Sequence, residues 1–493
     1  MPGVIAVGIA KSSHYQVTFG VLAVAVGAYA LLQSLVIPVL ATIQDALHTS
    51  QSTVTWLLTA YLLSASIFTP IIGRIGDKVG KDRMLVFALV ALAVGSLLAA
   101  VTTDVTVMIV ARAIQGVGGG VIPLAFGIIR DEFPPEKVPG AVGIMAALIA
   151  VGAGLGVVLA GPIVDALNFH WLFWIPLIMV VVAGVAAAVF VPESPTRAPG
   201  RISVLPAVLL SAWLITLLVA LSQAPAWGWG SSKVLGLLIV TVPLAAAWVL
   251  VERRSAAPLI DMQMMRLPAV WTANLVALLI GVGMYASLAF LPQFLQTPHR
   301  VGYGFGVSIT ESGVILLPTY VAMFLISLRV GRLTARFGAK PLVILGTMIT
   351  VGAYMLIAFA HTQKWEIYLA TAVMGLGLGL VYSAMSSLVV VSVPPEQTGV
   401  ASGMNANIRT IGGSVGTALM ASIVTAGAGP GGLPKESGYT NGFTMLAAAT
   451  FVALLAALTI PATRRAGAAD PDNLAHPELA LVAGGTVAGD QPE

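Results

Sequence analysis

Long apolar segments with almost no charge decide what this chain can fold into. Met84–Val101, Trp171–Val191 and Ala447–Ile460 are three of them. A helix needs roughly 20 apolar residues to cross a bilayer core about 30 Å thick. The segments are too long and too uninterrupted for barrel strands, and inside a bilayer the backbone must satisfy its own hydrogen bonds. The sequence therefore predicts an all-α membrane protein.

The number of spans follows from reading the apolar segments one by one. Only 9% of the 493 residues are charged, against about 25% in ordinary soluble domains. Fourteen spans are predicted, near 15–40, 54–75, 84–102, 105–129, 140–163, 171–191, 203–222, 234–251, 270–296, 312–331, 341–360, 366–392, 399–424 and 442–462.

The basic residues predict the orientation of the spans. If the N-terminus is cytoplasmic, the outward loops contain only Lys233, Arg300, Lys364 and Lys435 of the 24 lysines and arginines. Arg112 and Arg409 fall in the interior of spans. The other 18 lie on the cytoplasmic side, with Arg74 and Arg329 at the cytoplasmic ends of their spans, as the positive-inside rule requires. We therefore expect a multi-pass protein of the cell (inner or plasma) membrane with both termini in the cytoplasm. The net charge is only +4, so no nucleic-acid partner is expected.

An internal repeat relates the two ends of the chain. GRIGDKVGKDR from Gly73 matches GRLTARFGAKP from Gly331, and GVGGGVIP from Gly116 matches GLGLGLVY from Gly375. Pro134-Pro135-Glu136 matches Pro394-Pro395-Glu396, so the offsets are 258, 259 and 260. Both copies start on the same side, which indicates a parallel repeat of six helices.

The repeat predicts the domain organisation. We expect 1–14 as a cytoplasmic N-terminus, 15–191 as a first six-helix bundle and 192–269 as an inserted helix pair with cytoplasmic linkers. A second six-helix bundle should cover 270–462, and 463–493 should be a disordered cytoplasmic tail, because its Ala/Gly/Pro/Asp composition lacks a core-forming pattern.

Two motifs resemble those of the major facilitator superfamily. GRIGDKVGKDR, between spans 2 and 3, is similar to its cytoplasmic signature, and ARAIQGVGGG in span 4 is similar to its second signature. With fourteen spans, the chain resembles the fourteen-helix drug:proton antiporter branch. The resemblance implies the major facilitator fold: two six-helix bundles plus two extra central helices.

The first motif predicts a conformational latch formed by Gly73, Asp77, Gly80 and Arg83. The glycines permit a tight turn, and Asp77 can face the positive N-terminal end of another helix. The resemblance implies that Asp77 meets the start of span 13 near Thr398. The matching position in the second copy is Ala335, so the latch should be one-sided.

Proton or substrate coupling is predicted at six positions. Arg112 lies inside span 4, where a guanidinium is costly unless it faces a cavity or a partner, and Gln115 follows at i+3. A purely structural tie between helices is the alternative.

Span 1 has Leu32 where many relatives have an aspartate, and span 5 has Val157 and Ala160 where antiporters have a proline and a glycine. Two acids, Asp165 and Glu311, are also predicted to take part in coupling. Both lie at the outer ends of spans, and the alternative is that they only anchor the helix ends at the membrane interface.

Comparison of the two copies adds Asn405 and Arg409. Span 13 has Asn405, Asn407 and Arg409 where span 5 has Met145, Ala147 and Ile149. Such a helix should face the protein interior. Two buried arginines without an obvious buried acid could suit anionic groups or repel cationic ones, and a helix–helix hydrogen-bond cluster is an equal alternative.

A substrate cavity is expected between the halves, lined by spans 1, 4, 9 and 12. Its predicted walls are mostly apolar with few polar groups, which suits amphipathic organic compounds. The predicted lining residues are Tyr29, Gln33, Asn274, Tyr285, Gln293, Tyr382 and Met385.

The predicted function is a secondary transporter, not an enzyme. We expect export of drugs or metabolites by alternating access, with protons as the coupling ion, in a monomer within the lipid bilayer. Export of an endogenous lipid or natural product, with different or absent proton coupling, is the alternative. The chain has no cysteine, Walker loop or histidine cluster, so no cofactor and no metal are expected.

Overall fold

Fourteen helices of the structure, a computed structural model, are long and apolar enough to cross a membrane, as predicted. The structure describes residues 2–194, 204–255, 258–299, 302–426 and 434–461, and these contain no strand. The predicted tail 463–493 lies outside the described residues. The spanning helices are α1 (Pro2–Leu35), α2 (Gln51–Val79), α3 (Lys81–Val101), α4 (Val105–Glu132), α5 (Val138–Ala166), α6 (Trp171–Phe190), α7 (Val204–Trp227), α8 (Ser232–Arg254), α9 (Pro268–Gln296), α10 (Ile309–Phe337), α11 (Ala339–Phe359), α12 (Lys364–Ser392), α13 (Thr398–Thr425) and α14 (Glu436–Leu458).

The helix boundaries follow from capping groups and glycine turns. The Asp104 carboxylate accepts the backbone N–H groups of Thr106 and Val107, which starts α4, and the Ser308 hydroxyl accepts that of Glu311 at the start of α10. Gly80 and Gly338 connect α2 to α3 and α10 to α11 with φ of +127° and +84°, a region that favours glycine. These two glycines occupy matching positions of the repeat.

The helices extend beyond several predicted spans. The last helix begins at Glu436, whereas the sequence predicted a start near 442 and a loop over 425–441. Helix α4 changes to a 3₁₀ turn at Val117–Gly120, within its glycine-rich stretch. A polar residue next to a membrane span can continue a helix without entering the bilayer, so hydropathy marks the span better than the helix end.

Two pairs of helices join the halves: α5 with α10, and α2 with α13. The two pairs are equivalent under the repeat. An alanine Cβ at position 73 would lie 2.6 Å from the Gly399 carbonyl oxygen, and one at 331 would lie 2.6 Å from the Gly140 Cα. Glycine at these crossings lets the backbones touch, as is typical of helix packing in membranes.

The helix pair α7–α8 lies at the periphery. Only 17% of the apolar 18-residue stretch of α8 is buried. Ile239 and Val242 are each 69% exposed, as expected for side chains that face lipid. Helix α7 packs on α2 and α13. The Trp229 indole N–H donates to the Ser422 hydroxyl at 2.7 Å, which fixes the α7–α8 turn to the C-terminal half.

The two ends of the helix bundle are named here by the turns found at each. We call the end with the α2–α3, α4–α5 and α12–α13 turns the Asp77 end; the other is the opposite end. Because fourteen is an even number of spans, the first and last described helices start and finish at the Asp77 end.

The packing of α13 on α9 predicts a large effect of a small substitution. At Gly412 an added Cβ would overlap the Leu278 carbonyl oxygen, whereas at Gly352, on the exposed side of α11, nothing lies within 4 Å of it. We expect Gly412→Ala to destabilise the protein by about 1–3 kcal/mol, as overpacking does. Gly352→Ala is the matched control and should be neutral or slightly stabilising, since alanine favours helix. Thermal unfolding in detergent measures both; equal melting temperatures would contradict this description of the α9–α13 contact.

Candidate functional site

A cavity of about 180 Å³ lies between the two halves. Its walls come from α1, α2, α4 and α5 on one side and from α9, α10, α12 and α13 on the other. Four tyrosines contribute to the lining: Tyr29, Tyr285, Tyr320 and Tyr382. The other side chains are mostly aliphatic, with methionines at Met284 and Met323 and a few hydroxyl groups. A mostly apolar concave site with few polar groups is typical of sites for small organic molecules.

The cavity is displaced toward the opposite end of the bundle. Its lining on α2 begins at Thr69, ten residues before α2 ends at Val79, which corresponds to about 15 Å at 1.5 Å per residue. At the other limit it includes Pro38 and Pro292, and Pro292 is four residues from the end of α9. The Asp77 end therefore consists of packed helix ends, without cavity lining.

The predicted lining residues divide into two groups. Tyr29, Gln33, Tyr285 and Tyr382 line the cavity. The other three predicted residues do not. The Asn274 side-chain oxygen accepts a hydrogen bond from the Asn405 amide at 2.9 Å, which joins α9 to α13. Gln293 is exposed on α9, and Met385 is 2% exposed within the core of the C-terminal half.

Helix α13 brings polar groups into the cavity. Ala406, Asn407, Arg409 and Thr410 all contribute to its lining. The Arg409 guanidinium lies 4.4 Å from the centre of the Tyr382 ring, and its Nη2 is 3.4 Å from the Tyr382 hydroxyl. Its Nε has no hydrogen-bond partner among the described residues, and neither amide atom of Asn407 has one.

Arg112 is fully buried inside the N-terminal half and is not among the described residues that line the cavity. Its Nε donates to the Leu57 carbonyl at 3.2 Å and its Nη1 to the Gln115 side-chain oxygen at 2.6 Å. The guanidinium also lies 4.3 Å from the centre of the Tyr61 ring. Gln115 in turn donates to the Ser96 hydroxyl at 3.1 Å. This cluster joins α2, α3 and α4, and the Nη2 of Arg112 has no partner among the described residues.

The predicted acids Asp165 and Glu311 lie apart from the cavity lining. Asp165 is exposed near the end of α5. Glu311 forms an ion pair with Lys364 at 2.5 Å, and both side chains are almost half exposed. Asp165, Glu311, Arg112 and Arg409 therefore do not form one cluster, and no carboxylate is among the described residues that line the cavity.

At the Asp77 end, Asp77 and Gly73 of the predicted latch contact the second half. The Asp77 carboxylate accepts backbone N–H groups of Gly399 at 3.3 Å and Val400 at 3.0 Å, in the first turn of α13. The Lys81 ammonium is 3.7 Å from Asp77 and 2.8 Å from Asp131, and all three side chains are buried. A carboxylate at the N-terminus of a helix is favoured by the helix dipole and by its free N–H groups.

Arg83 differs from Asp77 in that it stays within its own half. It pairs with Glu193 at 3.0 Å, and both side chains are more than half exposed. An exposed pair of this kind contributes little to stability. The contact across the halves at this motif is made by Asp77 and by the Gly73 backbone, and Gly80 supplies the turn.

Sequence reasoning missed Arg130 and its neighbour Asp131, at the end of α4. Arg130 donates to the Val390 carbonyl at the end of α12 and to the Thr398 hydroxyl, 3.1 Å away, at the start of α13. It therefore joins the halves beside Asp77. The repeat contained the signal: at the offset of 260, positions 130 and 131 correspond to Val390 and Val391, so two charges replace two valines.

Comparisons with known proteins agree with this architecture. A multidrug transporter protein of Bacillus subtilis, MdtP, is 28% identical over 382 residues, which is 77% of this chain and 70% of that protein. A tetracenomycin C resistance and export protein of Streptomyces glaucescens is 30% identical over 414 residues, 83% of this chain and 76% of that protein. The human organic anion transporter MFSD10 (TETRAN) shares the fold, with a TM-score of 0.66 at 18% identity over 90% of this chain and 99% of that chain.

The family model of the Major Facilitator Superfamily matches residues 22–417, and a second, overlapping match covers 275–482. The first match alone spans more than half of the chain. Together with fourteen spanning helices, it establishes that the chain is a multi-pass membrane transporter, not an enzyme, and belongs to the Major Facilitator Superfamily, where its relatives include proteins named for multidrug transport and resistance.

Proposed function

We propose that this protein exports amphipathic organic compounds from the cytoplasm by alternating access, as a proton antiporter. The observation that carries the proposal is the cavity, which both halves line and which is displaced away from the Asp77 end. The Asp77 end is the cytoplasmic one, both termini lie there, and the membrane is the cell membrane. The excess of basic residues on that side supports this orientation.

The contacts at the Asp77 end support alternating access. Asp77 and Arg130 join α2 and α4 to α12 and α13 by a small number of polar contacts, and glycines bring the backbones together. A few such bonds can be broken together when one half rotates against the other, unlike a large apolar interface. The arrangement corresponds to the outward-facing state of the cycle, with the latch closed.

The cargo class is supported by the cavity walls and by the relatives. Tyrosine, methionine and aliphatic side chains fit amphipathic molecules of varied shape. The export of tetracenomycin C that names the Streptomyces relative favours an organic natural product or drug. The cavity is complete within one chain, so a monomer suffices.

Proton coupling can be tested in inverted or reconstituted vesicles with an imposed pH gradient. The test compounds are a panel of fluorescent dyes and antibiotics. When the imposed gradient drives protons toward the side with the Asp77 end, we expect these compounds to move away from that side and to accumulate on the other. Collapse of the gradient with a proton–potassium exchanger should lower the rate at least tenfold. Vesicles without the protein are the control, and an unchanged rate without a gradient would favour an exporter that lacks proton coupling.

The latch can be tested with Asp77→Asn. The amide keeps one acceptor oxygen but replaces the other with a donor that faces backbone N–H groups, so the closed state should lose population.

Access to the cavity is measured in a Ser66→Cys background, with and without Asp77→Asn. Because the chain has no cysteine, this single cysteine in the cavity wall reports access to an impermeant maleimide. We expect labelling from the Asp77 side to rise and transport to fall at least several-fold, with normal membrane insertion. The exposed Glu136→Gln at the same end is the control. Full transport with unchanged labelling would remove the latch from the mechanism.

Arg112 is proposed as a coupling residue that acts through the Tyr61 ring and the neighbouring cavity wall. Arg112→Ala should abolish gradient-driven export, and Arg112→Lys should restore it only in part, since an ammonium lacks the planar fork that bonds Leu57 and Gln115 together. Melting temperature and export per folded molecule are measured on the same preparations. A lower melting temperature with normal export per folded molecule would reduce Arg112 to a structural tie.

A further inference from the structure

We propose that the cavity binds amphipathic organic anions, with Arg409 as the residue that binds the acidic group. This inference rests on the proposed export function and adds the charge of the cargo. The ligand class is an aromatic or aliphatic body that carries one carboxylate, acidic enol or similar oxyanion, with a second oxygen-bearing group that Asn407 binds.

The charge distribution of the cavity favours a negative ligand. Arg409 is the one residue with a formal charge among the described residues of the lining. Four described carboxylates lie within eight residues of a lining segment. Asp45 and Asp165 are exposed, Asp77 bonds α13 and Lys81, and Glu311 pairs with Lys364 at the exposed end of α10. The second buried arginine, Arg112, lies against the Tyr61 ring in the N-terminal half and is not among the described lining residues. A protonated amine in this cavity would meet a cation and no carboxylate.

Arg409 has unused hydrogen-bonding capacity. Arg409 is 8% exposed and lies on the Tyr382 ring, and its one side-chain hydrogen bond among the described residues is the long one to Tyr382. The unpartnered Nε–H and the adjacent Nη2 form one edge of the guanidinium. That edge matches the two oxygens of a carboxylate, and charge-assisted bonds of this kind are about twice as strong as neutral ones. A buried cation with so few bonds is costly, and an oxyanion would remove that cost.

Asn407 supplies a second, separate polar group. It is 2% exposed, lines the cavity, and has no partner for either its amide nitrogen or its amide oxygen within the described structure. Residues two apart on a helix point about 200° away from each other. Ala406 and Thr410 share one face of α13, and Asn407 and Arg409 lie to the left and right of that face. They are placed for two different groups of one ligand, an oxyanion at Arg409 and a carbonyl or hydroxyl at Asn407.

The walls between these groups fit an apolar body. Tyr29 and Tyr285 contribute aromatic side chains, and Met284 and Met323 contribute adaptable thioether chains. Aromatic and methionine side chains pack well on flat rings of varied outline. The charge selects the acidic group, and the walls leave the rest of the molecule loosely specified.

The test uses three probes with one aromatic body: pyrenebutyrate, its methyl ester, and a pyrenebutyl trimethylammonium. Binding to the purified full-length protein is measured by pyrene fluorescence. We expect the anion to bind at least tenfold more tightly than the ester and the cation. Arg409→Gln should weaken binding of the anion at least tenfold and change binding of the ester no more than about twofold. Arg266→Gln, an exposed arginine before α9, is the matched control and should change neither.

Two results would overturn the assignment: equal binding of the three probes by the unaltered chain, or an undiminished anion preference in Arg409→Gln. The three-probe comparison needs no variant, so it stands even if Arg409→Gln fails to fold. Vesicle transport separates this inference from the proposed function. Export of cationic dyes without binding of pyrenebutyrate would keep the exporter and overturn the anion site, whereas anion binding without transport of any compound would keep the site and overturn export.

Discussion

Contact between helix backbones at glycine is the interaction on which the arrangement of the two halves depends. In a bilayer, apolar surface gains little by leaving lipid for protein, so close packing and a few polar bonds must hold the helices together. Gly73 against Gly399, and Gly331 against Gly140, put this contact at equivalent places on both sides of the molecule. Such contacts let the two halves pack closely at a few points, as the alternating access proposed above requires.

The residues proposed to act in transport lie where the two copies differ. The glycines are shared, whereas Asp77 corresponds to Ala335 and Arg130 to Val390, so the polar contacts at the Asp77 end exist once. The same holds in the cavity, where Ile149 and Arg409 are equivalent under the repeat and both line it. The repeat places one cavity-lining residue at the same position in each half. Sequence divergence between the halves has made one of them, Arg409, charged, whereas Ile149 is apolar.

The sequence predicted the fold better than the direction in which side chains point. Apolar length and the repeat indicated fourteen helices and two halves, because both depend on the thickness of the bilayer and on chain order. The rotation of a helix is harder, since lipid-facing and protein-facing sides are both apolar. Gln293 was therefore placed in the cavity although it is exposed, and Asn274 although it bonds Asn405. Arg130 was missed because a charge at a helix end resembles an ordinary loop residue.

The two buried arginines show why burial alone does not identify a ligand site. Arg112 is the more deeply buried, yet the Leu57 carbonyl, Gln115 and the Tyr61 ring already surround its guanidinium. Arg409 is slightly more exposed, and within the described part of the chain its guanidinium contacts Tyr382 alone. A ligand gains most from a charge whose desolvation the protein has not already offset with its own groups. The number of internal partners, more than depth in the membrane, therefore favours Arg409 over Arg112 as the arginine that contacts the proposed cargo.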